Sequence, residues 1–255
     1  MNSFLVGLQF LTRIRIVRQT VWTAEDFGRS TRFFPLVGLV LGICYALAAW
    51  ILVSVLGMRA LTAALLLILP LLLTGGLHAD GFMDTADGVF SGRERERKLE
   101  IMKDSRVGSF GVVAFVLLMF LQFALLLDMS PPLLVPVFFV MPIIGRMAML
   151  LAVSCFPYAR ADGMGKTFAD MADRRTVAIA VVTTSVLVIP IGLLATLALV
   201  IGIVFSLLFC RRMTAILGGV TGDVYGAATV LTETIVLAVF SLASSYSNVW
   251  GLLWR

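Results

Sequence analysis

Seven long apolar stretches divide the chain, and a helix that crosses a bilayer needs roughly 20 such residues. The stretches lie at about 33–57, 60–77, 109–128, 133–155, 177–192, 194–210 and 224–243. The residues from Val177 to Cys210 are too many for one span, and Pro190 and Gly192 between them predict a tight helical hairpin. Because the two hairpin spans are short, the pattern predicts about seven crossings and leaves six or eight open.

The composition indicates that lipid surrounds these helices. Apolar residues make up 60% of the chain and charged residues 14%, whereas about 25% of residues are charged in soluble domains. A globule of 255 residues cannot bury so much apolar surface, so the remaining faces must meet lipid. We therefore expect an all-α, polytopic transmembrane helical bundle that forms one integral membrane domain over 1–255, with the lipid bilayer as a partner.

The Lys and Arg residues predict the orientation of the bundle. If the N-terminus is cytoplasmic, 17 of the 20 Lys and Arg residues lie in cytoplasmic pieces, which is the positive-inside bias of membrane proteins. These pieces are an interfacial N-terminal segment at 1–32, a loop with an acidic motif at 78–108, and the shorter 156–176 and 211–223. The net charge of +5 is then a topology signal, and we expect no nucleic acid partner. The predicted location is the cell (inner) membrane, in multi-pass form.

Three aspartates, Asp80, Asp84 and Asp87, follow immediately on the second span. If the helix continues, 100° per residue puts them within an arc of about 60° on one face. Carboxylates held this close repel one another, and a divalent cation removes that cost. Mg²⁺ usually takes one or two carboxylates together with waters and substrate phosphates. We predict that the three aspartates bind Mg²⁺; the alternative is that they cap helices or pair with arginines.

Two other residues are candidates for the same site. His78 is the only histidine of the chain, and the ordinary pKa of histidine suits a general base. A lone histidine, however, is more often a hydrogen-bonded structural residue. Asp223 lies in a glycine-rich turn before the last span, where it either completes the metal site or N-caps the final helix.

Basic residues that would hold an anionic substrate lie in two of the predicted cytoplasmic pieces. Lys103, Asp104, Ser105 and Arg106 come just before the third span, and they place two cations, an acid and a hydroxyl together. Lys166 follows a glycine-containing segment that lacks the four-residue gap of a P-loop. It is a candidate phosphate contact. An acid cluster ringed by cations fits metal-assisted chemistry on a pyrophosphate or phosphodiester.

The acidic segment His78–Ser91, followed by Glu100–Gly108, resembles the cobalamin synthase family, also called adenosylcobinamide-GDP ribazoletransferase. The resemblance extends to Phe34–Gly38, Tyr158–Gly165 and Gly219–Asp223, so it covers several separated motifs and most of the chain. It implies that a ribose hydroxyl of α-ribazole, or of its 5′-phosphate, attacks the cobinamide-bound phosphorus of adenosylcobinamide-GDP. GMP leaves, adenosylcobalamin or its phosphate forms, and Mg²⁺ is required.

The resemblance also implies residue roles and a cytoplasmic active site. The three aspartates after the second span are then the metal ligands. Asp104 and Asp223 are then candidate metal ligands or bases, and Arg106 and Lys166 are candidate phosphate contacts. The tail Asn248–Arg255 matches the family poorly, and the oligomeric state stays open, a homo-oligomer included.

Other functions use acids on membrane helices. A CDP-alcohol phosphotransferase carries Ala-Arg after its first Asp-Gly-x-x, where this chain has Asp84-Thr85. An intramembrane prenyltransferase needs a second Asp-rich motif, and Gly222-Asp223 is a poor copy. A cation-coupled transporter predicts acids near mid-membrane in related halves of the sequence. These acids instead cluster at the predicted cytoplasmic ends, and there is no internal repeat.

Overall fold

A computed structural model describes residues 3–18 and 23–245, and in these ranges the chain is helical without a β-sheet. The predicted all-α class is confirmed. The described α-helices are α1 (Ser3–Leu11), α2 (Ala24–Ser30), α3 (Phe34–Leu56), α4 (Arg59–Thr74), α5 (Leu77–Phe90), α6 (Arg95–Ile101), α7 (Ser109–Asp128), α8 (Pro131–Cys155), α9 (Met164–Met171), α10 (Arg174–Val188), α11 (Leu193–Leu217) and α12 (Gly222–Ser245). The tail Asn248–Arg255 lies outside the described residues.

Six described segments are long and apolar enough to cross a membrane, and they include α3, α7, α8, α10, α11 and α12. The remaining predicted span, α4, has 16 residues and passes this test only together with α5, from which it is bent by 93°. Each of the seven predicted spans therefore coincides with a helix. The hairpin is also present, because a short 3₁₀ turn at Ile189–Ile191 and then Gly192 separate α10 from α11. The chain is a multi-pass membrane protein.

The helix α4 packs against α7 and runs antiparallel to it. At the start of α4, Arg59 donates a hydrogen bond of 3.1 Å to the carbonyl oxygen of Met129, just beyond the end of α7. At the other end α4 leads into α5, whose Asp87 is hydrogen-bonded to Gly108 at the start of α7. We therefore count α4 as the seventh crossing and place α5 outside the crossing segments. The end of the bundle where α5 lies is called the α5 end below.

The second span does not continue as one helix into the acidic segment, but the three aspartates lie together on the next helix, α5, which keeps the spacing predicted for a shared face. Gly75 and Gly76 have left-handed backbone angles, with φ of +66° and +75°, a conformation that glycine adopts at little cost. Gly75 ends α4, and its N–H bonds to carbonyl oxygens of the last helical turn. The new helix α5 carries all three aspartates across the first turns of α7 and α12.

The helices α8 and α12 form the centre of the bundle. Their most apolar windows are 78% and 72% buried, against 17–39% for the other candidate spans. The helix α3 packs along α8, and α11 packs against both central helices. Large apolar side chains such as Trp50, Phe120 and Leu208 are exposed on the outer helices, as expected of faces that meet lipid.

A smaller layer of helices covers one side of the α5 end. It is formed by α1, α2 and α9, which are joined by the aromatic side chains of Phe10, Phe27 and Phe168 with ring centroids 5.3–5.8 Å apart. Val6, Leu8 and Leu11 of α1 are fully buried. The first helix is thus part of the packed structure, and it holds the segment that follows it in place.

Candidate metal and phosphate site

Two loops that are distant in sequence meet at the α5 end. The backbone N–H of Ala159 donates to the carbonyl oxygen of Val220, and the N–H of Val220 donates to that of Pro157, both over 2.8 Å. This short parallel pairing joins the loop after α8 to the turn before α12. It brings Arg160 beside Asp223, and so unites two of the motifs that the sequence analysis could place only separately.

The helix α5 approaches the start of α12 closely enough to require glycine. A Cβ atom on Gly81 would lie 2.7 Å from the carbonyl oxygen of Asp223, which is shorter than normal van der Waals contact. The hydroxyl of Thr85 is turned back along α5 and donates to the Gly81 carbonyl oxygen over 2.7 Å. Because the two backbones touch here, Asp84, on the adjoining part of α5, is brought close to the Asp223 carboxylate.

Asp84 is half-buried and lies among other acids. Burial, followed by the negative charges of Asp80, Asp223 and Asp87, raises the pKa of Asp84 to about 7, against the opposing influence of Arg160. Asp80 itself is exposed. The structure therefore places acids from α5 and α12 within electrostatic reach of one another.

Asp223 is held by two donors. Its Oδ2 accepts a hydrogen bond of 2.9 Å from Arg160 and one of 3.2 Å from the hydroxyl of Thr221. The N-cap contact of α12 is made by Thr221, whose Oγ1 accepts from the N–H of Val224. Asp223 is therefore not the helix cap that the sequence analysis considered, and its Oδ1 accepts no hydrogen bond from the described residues.

Asp87 is buried and makes the capping contact that was the alternative interpretation of these acids. One carboxylate oxygen accepts from the N–H of Gly108 and the other from that of Gly111, both over 2.8 Å. These N–H groups belong to the first turn of α7, which has no side-chain cap of its own. Asp87 thus fastens α7 to α5. Its role as a metal ligand stays a prediction.

The structure does not bring His78 to the aspartates. Asp87 lies nine positions after His78, which is a rotation of about 180° around α5. The buried ring of His78 instead lines a cavity of about 50 Å³ inside the bundle, together with Arg146 and Glu233. Neither ring nitrogen has a hydrogen-bond partner among the described residues.

A buried ion pair in the bundle centre was not anticipated from the sequence. Arg146 of α8 pairs with Glu233 of α12, and Arg146 is only 1% exposed. Glu233 shows that the acids are not confined to the helix ends, as the sequence analysis assumed. A signal was available, because a charged residue inside an apolar span requires a buried partner.

The predicted phosphate contacts lie at the surface, and two of the four are paired with their own neighbours. Arg106 and Asp104 form a forked ion pair, and this contact lowers the pKa of Asp104 to about 2. Lys166 pairs with Asp170 one helical turn later, while Lys103 and Ser105 are exposed. In the described part of the chain, no hydrogen bond or ion pair connects these residues to the acids of α5.

The donor set fits Mg²⁺ but not a closed structural metal site. Within residues 3–18 and 23–245, no three His, Cys, Asp or Glu side chains are grouped tightly enough to hold an ion by themselves. Mg²⁺ does not need three, since it retains waters and accepts substrate phosphate oxygens. Asp80 and Asp84, one helical turn apart on α5, offer the hard oxygen donors that this ion prefers.

Comparisons with known proteins agree over almost the whole chain. The family model described as Cobalamin-5-phosphate synthase matches residues 3–241. The adenosylcobinamide-GDP ribazoletransferase of Desulfitobacterium hafniense is 41% identical over 251 residues, which cover 93% of this chain and 95% of the relative. The protein of the same name from Clostridium acetobutylicum is 38% identical over 238 residues, with 92% and 94% covered. No solved structure matches the chain.

Proposed function

The chain belongs to the cobalamin-5-phosphate synthase family, and from this premise we propose how its own residues carry out the reaction. It is a transferase that joins adenosylcobinamide-GDP to α-ribazole, or to its 5′-phosphate, in the assembly of vitamin B12. A ribose hydroxyl attacks the cobinamide-bound phosphorus, and GMP leaves. Because the chain belongs to this family, we prefer this transferase function to the three alternatives, which were a cation-coupled transporter, a CDP-alcohol phosphotransferase and an intramembrane prenyltransferase.

The single observation that carries the residue roles is the electrostatic coupling of Asp84 to Asp80 and Asp223. Asp80 and Asp84 would hold Mg²⁺, because acids this crowded at a half-buried position gain most from a cation. When bound, the ion neutralises phosphoryl oxygens and orients an in-line displacement. Asp87 takes part by fixing the position of α5 against α7.

Asp223 is the best-placed proton acceptor. Arg160 and Thr221 occupy its Oδ2 and so orient the carboxylate, while Oδ1 accepts nothing from the described residues. The hydroxyl of the nucleophile passes its proton to Oδ1 as the new P–O bond forms. The bond between the two phosphates breaks, and its electron pair stays on the GMP oxygen.

The site faces the cytoplasm in this proposal. The Lys and Arg residues gather in segments that lie at the α5 end, while Arg59 lies at the opposite end of the bundle. The positive-inside bias therefore assigns the α5 end to the cytoplasm of the cell (inner) membrane. A fluorescent-protein fusion at the N-terminus, which fluoresces only in the cytoplasm, is expected to be bright; a dark, correctly inserted fusion contradicts the orientation.

The function is tested with purified protein in liposomes. Adenosylcobinamide-GDP and α-ribazole are supplied with and without Mg²⁺, and GMP release is followed. We expect GMP only with Mg²⁺, its loss in Asp84→Asn, and its retention in Asp128→Asn, which changes an exposed acid at the other end of α7. GMP release that needs no Mg²⁺, or that survives Asp84→Asn unchanged, contradicts the assignment.

A further inference from the structure

An open groove of about 720 Å³ lies at the α5 end, beside the proposed ion ligands. Its walls are the segment after α1, the break between α4 and α5, and the first half of α5. Arg13, Arg15 and Asp80 line it, with Phe10 and Phe115 among the apolar residues. Ligand pockets of small molecules have volumes of about 300–1,000 Å³, so the groove has room for a nucleotide.

The two arginines stand on a segment of defined shape. The N–H of Arg13 donates to the carbonyl oxygen of Leu73 over 2.7 Å, which ties the segment to the last turn of α4. The side chain of Gln9 accepts from the N–H groups of Ile16 and Val17, over 3.1 and 2.8 Å. The backbone that carries both arginines is therefore held from two sides.

Gly75 admits the guanidinium of Arg13 to the groove. A Cβ atom on Gly75 would lie 2.8 Å from Arg13 Cζ, so a larger residue would displace this side chain. The left-handed bend at Gly75 thus has two consequences. It turns α5 away from α4, and it leaves space for a cation beside Asp80.

Arg13 and Arg15 are exposed cations. Neither has a carboxylate within 4.0 Å among the described residues, whereas Arg160, Arg106 and Lys166 each have one. Asp80 is the one acid among the residues that line the groove. Guanidinium groups bind phosphate through forked hydrogen bonds. Two of them that have no carboxylate partner among the described residues, and that line the same groove as a proposed ion ligand, offer an anion site.

We propose that this groove binds the phosphate of the departing nucleoside monophosphate, with Arg13 and Arg15 as its contacts. The leaving phosphate gains negative charge when the bond between the two phosphates breaks, whereas the attacking alcohol loses a proton to Asp223 and brings no added charge. Cations are therefore most useful on the leaving side. The inference rests on the proposed function, because Asp80 is shared by the ion and the groove.

The test is direct binding of GMP, measured by titration calorimetry on purified protein in detergent with Mg²⁺ and no second substrate. Replacing both arginines by alanine is expected to raise the Kd of GMP about 10- to 100-fold, since hydrogen bonds to charged groups are lost. The matched control is Arg18→Ala, an exposed arginine of the same segment that does not line the groove. Its Kd is expected to equal that of the unchanged protein.

Two further arms decide between the outcomes. If the alanine variant does not fold, Arg13→Lys with Arg15→Lys is used, which keeps the charges but loses the forked geometry; an unchanged Kd in that variant overturns the proposal. Titration with α-ribazole 5′-phosphate is the second arm. Weakened binding of that ligand with unchanged GMP binding assigns the groove to the other substrate and also overturns it.

The two proposals fail in different ways. Unchanged GMP binding in the variants, with metal-dependent GMP release by the unchanged protein, removes only the groove assignment. Arginine-dependent GMP binding without any GMP release from adenosylcobinamide-GDP removes the proposed function and leaves the nucleotide groove.

Discussion

Arg160 Nη2 donates a hydrogen bond of 2.9 Å to Asp223 Oδ2, although the two residues are 63 positions apart in sequence. Their side chains are 18% and 22% exposed, so solvent screens the pair only in part. Arg160 is also the cation that opposes the raised pKa of Asp84. One contact therefore links the loop after α8 to the first turn of α12, close to the acids of α5.

Removal of Arg160 should weaken the site without removing a proposed ion ligand. Partners that orient the residues of a metal site typically contribute about 10–100-fold in metal affinity or activity, and Arg160→Ala is expected to fall in that range. The rate of GMP release is measured against Mg²⁺ concentration. Arg174→Ala, at the exposed start of α10, is the control; equal Mg²⁺ dependence in the two variants would remove Arg160 from the site.

Mg²⁺ affinity should fall as the solution becomes acidic. The pKa of Asp84 is about 7, so above this pH its carboxylate is free for the ion and below it a proton competes. From pH 8 to pH 6 the deprotonated fraction drops from about 90% to about 10%, and the apparent affinity should drop about tenfold. Asp104→Asn should leave the curve unchanged, because that carboxyl has a pKa of about 2. A flat curve in the parent protein contradicts the assignment.

Asp87→Asn should destabilise the protein. One oxygen of Asp87 is replaced by an NH₂ group that faces a backbone N–H of Gly108 or Gly111, and an unsatisfied buried donor costs about 1–3 kcal/mol. Thermal unfolding in detergent should show a lower Tm. Asp128→Asn, at the exposed end of α7, should leave Tm unchanged. An unchanged Tm in both variants would mean that Asp87 does not anchor α7.

The buried pair in the bundle centre should show strong non-additivity. Glu233→Leu and Arg146→Met each leave one charge buried without a counter-ion, at a cost of about 3–5 kcal/mol. Replacing both residues, as Arg146→Met with Glu233→Leu, should return the free energy of unfolding close to that of the unchanged protein. The four-protein cycle is measured by unfolding in detergent micelles. Equal losses in the single and double variants would show that the residues are needed for reasons other than their charges.

Gly81→Ala should separate α5 from α12. The added Cβ would meet the Asp223 carbonyl oxygen at 2.7 Å, and overpacking of this kind costs about 1–3 kcal/mol. Both Tm and Mg²⁺ affinity should fall, because the acids lie on these two helices. Gly222→Ala is the matched control, since a Cβ there meets nothing within 4 Å. If Gly81→Ala has the same Tm and Mg²⁺ affinity as this control, α5 and α12 can move apart to accommodate the added Cβ.

The seven crossings could be predicted because bilayer thickness sets helix length, and apolar length is read directly from consecutive residues. The predicted 109–128 coincides with α7, and the predicted 33–57 differs from α3 by one residue at each end. The acidic segment was recognisable for a similar reason, since its aspartates are spaced along one helix. The family could be recognised because each of its motifs is a run of consecutive residues, although the motifs are separated from one another.

The tertiary structure decided which of these residues meet. Asp87 bonds to Gly108 and Gly111, Asp223 to Arg160, and Glu233 to Arg146. Each contact joins different helices or loops. Such pairs depend on which faces pack together and at what angle, and local spacing carries no information on either. The bend at Gly75 decided the most, because it turned α5 across α7 and α12. In that position Asp87 anchors α7, while Asp84 is half-buried and Asp80 is exposed.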